Sequence, residues 1–175
     1  MSTGLGREDI RALLDALSAE LAALGARAEL FLVGAAALAV AYDATRATRD
    51  LDAVFIPTGI VRQAAAAVAE HRGLTEDWLD DAVKGFLPGP DPDAQRFYSS
   101  DSLIVDVASP RYLLAMKLFA ARAEIDADDI ILLYRNLGFT TVDEGLDLVE
   151  QAYPGRPIPA KVRFLLTEIV DSMHQ

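Results

Sequence analysis

The sequence contains no cysteine and only two histidines, His71 and His174, which lie far apart along the chain. The lack of cysteine excludes disulfides and a thiolate zinc site. Two distant imidazoles also argue against a histidine-based metal site. We therefore expect any bound metal ion to be a hard cation held by oxygen atoms.

Basic residues are scarce relative to acidic ones. The chain has 16 Lys and Arg against 27 Asp and Glu, for a net charge of −11. Proteins that coat nucleic acid non-specifically are basic, so this composition argues against a DNA-coating role. It leaves room for local basic patches and for a small anionic substrate held through a metal ion.

Long hydrophobic segments are also missing. The longest apolar run, near residues 30–42, is rich in alanine and too short to span a bilayer. The N-terminus does not follow the pattern of a signal peptide, in which a basic region precedes an apolar stretch. These features predict a cytoplasmic protein without a membrane partner.

Periodicity and turn residues predict an α/β (α+β) fold, with a small mixed sheet flanked by helices and a helical C-terminal half. We expect an α/β core with an N-terminal helix at 1–108 and a helical half at 109–175 that packs on it as one compact unit. The predicted strands are 29–33, 50–56, 95–99 and 103–108. The predicted helices are 10–24, 34–43, 57–71, 75–83, 109–123, 126–137, 142–153 and 158–173.

Two carboxylates follow a glycine turn in the first half of the chain. A strand ends at Gly34, a small-residue helix follows, and the next strand carries Asp50 and Asp52. Residues at i and i+2 of a strand project from the same face, so both carboxylates would point towards the glycine turn. Such a pair is suited to Mg²⁺ that carries a nucleoside triphosphate. Alternatively, Asp50 caps a turn or pairs with Arg46 or Arg49.

A third carboxylate, Asp106, stands alone in the apolar segment 103–108. An unpaired charge buried in a strand is costly, which makes Asp106 a candidate base or ligand for a second ion. The alternative is an edge-strand residue that faces solvent.

Lys117 occupies an otherwise apolar helix. Its ammonium group either faces a triphosphate, for which a point charge is suitable, or snorkels to water. Arg122 precedes Asp126 by four residues, a spacing that favours an ion pair on the helix surface.

The order of strand, glycine turn, helix, Asp-x-Asp strand and later strand aspartate resembles the polymerase-β-like nucleotidyltransferase superfamily. More narrowly, the chain resembles the small bacterial AbiEii-type nucleotidyltransferases of toxin–antitoxin pairs. The matching motifs are Arg46-Ala-Thr48-Arg49-Asp50-Leu51-Asp52, the helix Leu113-Leu-Ala-Met-Lys117-Leu-Phe-Ala-Ala-Arg122, and Asp126-Ala-Asp-Asp129. Together the resemblance covers about residues 31–151.

The resemblance implies a sheet of the nucleotidyltransferase type and roles for particular residues. Metal ligands, for Mg²⁺ or Mn²⁺, would be Asp50, Asp52 and Asp106. Lys117 would act with them as a catalytic residue that contacts the triphosphate. The remaining nucleotide-binding and cleft-organising positions would be Gly34, Ala35, Arg49, Asp126 and Asp129.

The implied reaction moves a nucleoside monophosphate from an NTP to an acceptor hydroxyl and releases pyrophosphate. The acceptor would be RNA, such as a tRNA 3′ end, or a protein, and an antitoxin protein would be a partner.

Ala35 replaces the usual second Gly or Ser, and Ile125 occupies a position that is often basic. Ala35 and the acidic charge favour one alternative, a catalytically degenerate binding module. The acidic surface also suits another, a transferase that modifies a small hydroxylated molecule such as an antibiotic.

Overall fold

The structure, a computed structural model, describes residues 4–175. Within that range it contains seven α-helices and a five-stranded mixed sheet, which confirms the predicted α/β mixed fold with flanking helices. The strands are β1 (Ala28–Leu32), β2 (Leu51–Ile56), β3 (Leu79–Asp80), β4 (Gln95–Ser99) and β5 (Leu103–Val107). The helices are α1 (Arg7–Ala23), α2 (Gly34–Ala37, continued as a π-helix over Leu38–Tyr42), α3 (Thr58–Arg72), α4 (Pro110–Ala120), α5 (Ala123–Leu137), α6 (Val142–Ala152) and α7 (Ala160–Met173).

The chain divides into two compact units. The first contains the sheet and α1–α3, in residues up to Gly85 and in Asp93–Ala108. The second contains α4–α7, in Phe86–Pro92 and Ser109–Gln175. The boundaries between the units follow residues Gly85, Pro92 and Ala108.

The loop Phe86–Pro92 belongs to the helical unit, whereas a simple division at residue 108 places it in the first half. The backbone N–H and the hydroxyl of Ser109 donate to the two carboxylate oxygens of Asp91, at 2.7 and 2.9 Å. The Tyr153 hydroxyl donates to the carbonyl oxygen of Phe86 at 3.0 Å. These side-chain contacts are distant in sequence, which explains why the sequence did not indicate them.

The sheet has the strand order β3-β2-β1-β5-β4. β1 is antiparallel to β2 and parallel to β5, and the edge strand β4 is antiparallel to β5. Alternate residues form a buried face on the side of α1 and α3, since side chains alternate along a strand. The opposite side, here called the open face, is formed by Glu29, Phe31, Asp52, Val54, Ile56, Arg96, Ile104 and Asp106.

The predicted helix 75–83 is wrong. Leu79–Asp80 instead pairs with β2 as the short strand β3, and a 3₁₀ helix covers Ala82–Phe86. Trp78 is fully buried, and its indole N–H donates to the carbonyl oxygen of Ala65 at 2.9 Å. Tertiary contacts of this kind override a short helical pattern.

The helical unit begins at a well-defined cap. The Ser109 hydroxyl accepts from the backbone N–H of Tyr112 at the start of α4, and Thr141 and Glu144 form a capping box at the start of α6. α4 packs against α5 and α6, and α7 packs against the same two helices. Among residues 4–175, no helix combines the length and apolarity needed to cross a bilayer.

Candidate functional site

Gly34 and Asp52 are brought into close contact at the end of β1. The backbone N–H of Val33 donates to the carbonyl oxygen of Asp52 at 3.0 Å, which extends the β1–β2 pairing beyond the strand. Gly34 then adopts φ +63°, and a Cβ atom there would lie 3.2 Å from Oδ2 of Asp52. Only glycine combines this conformation with this space, so the turn holds bare backbone against a carboxylate.

Asp50 lies in a bend immediately before β2, which begins one residue later than predicted. The buried Thr48 supports this bend, because its hydroxyl donates to the carbonyl oxygen of Asp50 at 2.9 Å. Thr48 is itself held by two backbone hydrogen bonds with Leu5. The side chains of Asp50 and Asp52 are both partly exposed.

The arginines beside the Asp-x-Asp pair differ in environment. Arg46 forms an ion pair with Asp43, with 3.2 Å between Nε and Oδ2. Hydrogen bonds from Thr45, and to a lesser degree Arg46, lower the pKa of the Asp43 carboxyl below its usual value. Arg49 is exposed. The prediction that Arg49 contacts a nucleotide stays a prediction.

Asp106 lies in the middle of β5, inside the sheet rather than on an edge strand. Its neighbours in register are Phe31 of β1 and Arg96 of β4. The Arg96 Nε donates to Oδ1 of Asp106, and the two side chains are 53% and 35% exposed. Asp106 is thus neither buried and unpaired nor at the sheet edge. Its charge is balanced by a cation of the same chain.

The three predicted metal ligands are not assembled into one cluster. Asp52 is in register with Val33, whereas Asp106 is in register with Phe31, and β1 separates their strands. In residues 4–175, no three side chains of His, Cys, Asp or Glu lie close enough together to hold a metal ion. Mg²⁺, however, commonly uses one or two carboxylates and completes its shell with phosphate oxygens and water. Asp52 lies close to Gly34, and Asp50 precedes it by two residues in the bend before β2, so the two residues supply the number of carboxylates that Mg²⁺ requires.

A shallow groove of about 190 Å³ runs along the open face beside Asp106. Its floor is apolar and is formed by Phe31, Val54 and Ile104. Sequence reasoning missed this groove, although β1, β2 and β5 all carry apolar residues on both faces. That pattern differs from the clean alternation of a strand with one solvated face.

Lys117 lies in the helical unit and does not snorkel to water. It is only 8% exposed, and its Nζ lies 2.9 Å from Oδ1 of Asp126 and 2.8 Å from Oδ2 of Asp129. The predicted ion pair between Arg122 and Asp126 is confirmed, with 3.0 Å between Nε and Oδ2, although Asp126 is 1% exposed. Two cations and two carboxylates therefore form a network without net charge.

Ala35, the second residue of α2, is exposed and follows Gly34 directly. Its backbone N–H lies in the first turn of this helix, where amides have no partner within the helix. A side-chain hydroxyl, which Ser would supply here, is absent.

Comparison of the chain with protein-family models, curated proteins and solved structures gave no match.

Proposed function

We propose that the chain binds a metal-bound nucleoside triphosphate at Gly34, Asp50 and Asp52 and transfers its nucleoside monophosphate to an acceptor hydroxyl. The observation that carries the proposal is the closeness of Gly34 to the Asp52 carboxylate, whose Oδ2 would lie 3.2 Å from a Cβ atom added to Gly34. A residue with a Cβ atom at this position would crowd the Asp52 carboxylate, whereas glycine with positive φ does not. In the proposed complex, a phosphate oxygen accepts from backbone N–H groups of the turn, and a metal ion joins the phosphates to the carboxylate.

The residues of this site act by holding and orienting the substrate. Asp50 and Asp52 would hold Mg²⁺ or Mn²⁺, which when bound neutralises charge on the triphosphate and on the departing pyrophosphate. The Gly34 turn admits the phosphates, and the Ala35 amide is a further donor at the helix start. Positioning and charge stabilisation supply most of the catalysis in phosphoryl-type transfers, which is the contribution that we assign to these residues.

Acceptor, partner and location follow from the resemblance to AbiEii-type proteins. We propose RNA, such as a tRNA 3′ end, or a protein side chain as the acceptor, an antitoxin as the protein partner, and the cytoplasm as the location. A net charge of −11 makes broad electrostatic capture of RNA unfavourable. An RNA acceptor would therefore be held at few positions.

Nucleotide binding is tested by calorimetric titration of the protein with Mg²⁺ and each NTP. We expect Asp52→Asn to weaken binding by about tenfold or more, since a lost charged ligand contact is worth that much. Asp101→Asn is the matched control, because Asp101 is an exposed aspartate in the turn before β5. Equal affinities of the wild type and Asp52→Asn would refute the proposed site.

A degenerate binding module is the second candidate, and the ion pair between Arg96 and Asp106 favours it. In this pair, Arg96 binds the carboxylate of Asp106, which the resemblance assigns to metal binding. Transfer of label from each α-labelled NTP into RNA and protein separates the candidates. No transfer with any of the four, despite binding that depends on Asp52, supports the module. An added resistance assay detects transfer to a small-molecule antibiotic.

A further inference from the structure

Arg96 occupies a defined position on the open face of the sheet. It lies on the edge strand β4 directly opposite Asp106, so both side chains project from the same face. Phe31 and Val54 continue this row across β1 and β2. Arg96 thus belongs to the same surface as the apolar groove and Asp52.

The Arg96 guanidinium is anchored by one nitrogen only. Within residues 4–175, its side chain makes a single hydrogen bond, from Nε to Oδ1 of Asp106. A guanidinium has five N–H donors, so both terminal nitrogens still present theirs to other acceptors. Asp106 is the main acidic neighbour that raises the pKa of Arg96, and Glu29 contributes less.

The two residues after Arg96, Phe97 and Tyr98, contact side chains of α1. The β4–β5 register shifts between Arg96 and Tyr98, which leaves a bulge at Phe97. The Tyr98 hydroxyl donates to Oδ1 of Asp15 at 2.7 Å, and the Arg11 guanidinium lies 4.9 Å from the centre of the Phe97 ring. A bulge changes the direction of neighbouring side chains. The contacts of Phe97 and Tyr98 with α1 hold the bulge that follows Arg96 in place.

The distance across the sheet suits an extended phosphate chain. β1 lies between β2, which carries Asp52, and β5, which carries Asp106. With two strand spacings between β2 and β5 and an offset of two residues in register, the Cα atoms of Asp52 and Asp106 lie about 12 Å apart, a span that a metal ion at Asp52, a triphosphate and the Arg96 side chain can bridge together. The groove over Phe31 and Val54 lies on the same face and reaches Asp106.

We propose that Arg96 binds a phosphate group of a polyphosphate ligand and that Asp106 is a positioning residue that orients its guanidinium. A guanidinium held at Nε presents its terminal nitrogens as a fork, which matches two oxygens of one phosphate. Asp106 thereby takes a role different from that of a third metal ligand. The identification of the ligand as a nucleoside triphosphate rests on the proposed function above.

The first experiment uses inorganic tripolyphosphate in EDTA at low salt and follows the Nε–H resonance of Arg96 by NMR. That resonance is assigned by its disappearance in Arg96→Lys. We expect it to shift and saturate with tripolyphosphate, and we expect Arg96→Gln to abolish saturable binding. Arg62→Gln is the matched control, because Arg62 is also exposed and paired with an aspartate, Asp81, on another part of the unit. Unchanged binding in Arg96→Gln would overturn the proposal.

The positioning role of Asp106 needs its own readout. We expect Asp106→Asn to weaken tripolyphosphate binding by about tenfold, as loss of an orienting partner does at other sites, and to speed hydrogen exchange at Arg96 Nε. Asp106→Glu should restore part of both. If Asp106 only repels the anion, Asp106→Asn will instead strengthen binding, which contradicts the proposed role.

Titration with Mg²⁺ and ATP distinguishes this inference from the proposed function. Binding that depends on Asp52 but not on Arg96 leaves the nucleotide site intact and refutes the phosphate contact. If tripolyphosphate binding depends on Arg96 but ATP binding does not change in Asp52→Asn, the phosphate contact is supported and the proposed nucleotide site is refuted. Weaker binding of Mg²⁺ and ATP in both Asp52→Asn and Arg96→Gln supports the proposed nucleotide site and the phosphate contact of Arg96.

Discussion

The aspartates of the sheet and those of the helical unit occupy opposite environments. On the open face, Asp52 lies against glycine backbone, and Asp106 is partly exposed beside Arg96. In the helical unit, Asp126 and Asp129 both contact the buried ammonium group of Lys117. Both sets were predicted to serve one nucleotide site.

The comparison shows that the secondary structure around a carboxylate decides what it can do. Strand residues at alternate positions lie on one face of the sheet, as Asp52 and Val54 do. Helix residues three apart lie on one side of the helix, so Asp126 and Asp129 converge on Lys117. A buried and balanced network is suited to holding α4 against α5, whereas exposed carboxylates are suited to ligand binding.

The largest expected effect comes from breaking the buried network. Lys117→Met leaves Asp129 without the ammonium group and Asp126 with Arg122 alone. We expect the free energy of unfolding to fall by about 3–5 kcal/mol, the usual result of removing one partner of a buried ion pair. Urea denaturation measures it.

The control for Lys117 is Lys161→Met, which removes an exposed lysine whose ammonium group donates to the carbonyl oxygen of Ala120. This change should alter stability by less than about 0.5 kcal/mol. Similar losses in the two variants would show that the buried network has no special role in stability, and the comparison between the two regions would fail.

A smaller effect is expected at the glycine turn. Gly34→Ala places a methyl group at positive φ and 3.2 Å from Oδ2 of Asp52. We expect a loss of about 1–3 kcal/mol in unfolding free energy and weaker binding of Mg²⁺ and NTP. Gly25→Ala is the matched control, since Gly25 has φ +66° but nothing within 4 Å of the added methyl. If both variants lose equal stability and neither changes nucleotide binding, the Asp52 contact has no role.

Most of the fold was predictable because local patterns agree with it. The glycine turn before α2, Ser109 before α4, and the leucine spacing of α1 all mark element ends or buried faces within a few residues of the observed ones. The exception is β3, where burial of Trp78 decides the conformation. Such contacts depend on α3, which is distant in sequence.

The candidate site was predictable in its residues but not in their partners. The sequence indicated Gly34 and Asp52 together, and the structure places them so close that a Cβ atom on Gly34 would lie 3.2 Å from Oδ2 of Asp52. It could not indicate that Asp106 binds Arg96, because that pairing depends on the register of β4 against β5 and on a bulge. The burial of Lys117 between two aspartates depends likewise on how α4 and α5 pack.

A third prediction concerns pH and tests a carboxylate of the first unit that resembles those of the helical unit. Asp81 is buried and binds Arg62 and Lys84 at 2.7 and 3.1 Å. Hydrogen bonds, first from Arg62 and then from Lys84, lower the pKa of Asp81 below the ordinary 3.8. Its contribution to stability is therefore complete above that value and is lost as the pH falls through the lowered native pKa.

Asp81→Asn should accordingly reduce the free energy of unfolding by about 1 kcal/mol at neutral pH. The difference from the wild type should shrink below pH 4 and vanish in stronger acid. Chemical denaturation from pH 7 to pH 2.5 measures it. A difference that grows on acidification would mean that Asp81 is destabilising when charged, contrary to its two ion pairs.

The smallest effect is expected for an exposed pair in the same unit as Lys117. Arg163 and Asp143 approach to 4.0 Å, and their side chains are 65% and 83% exposed. Solvent screens such a pair, so the double-mutant cycle of Arg163→Gln and Asp143→Asn should give a coupling below about 0.5 kcal/mol. The cycle of Lys117→Met and Asp129→Asn should give a clearly larger coupling, because the side chains of Lys117 and Asp129 are only 10% and 13% exposed. Equal couplings in the two cycles would mean that burial does not separate the structural carboxylates from the exposed ones, and the assignment of Asp126 and Asp129 to structure would have to be withdrawn.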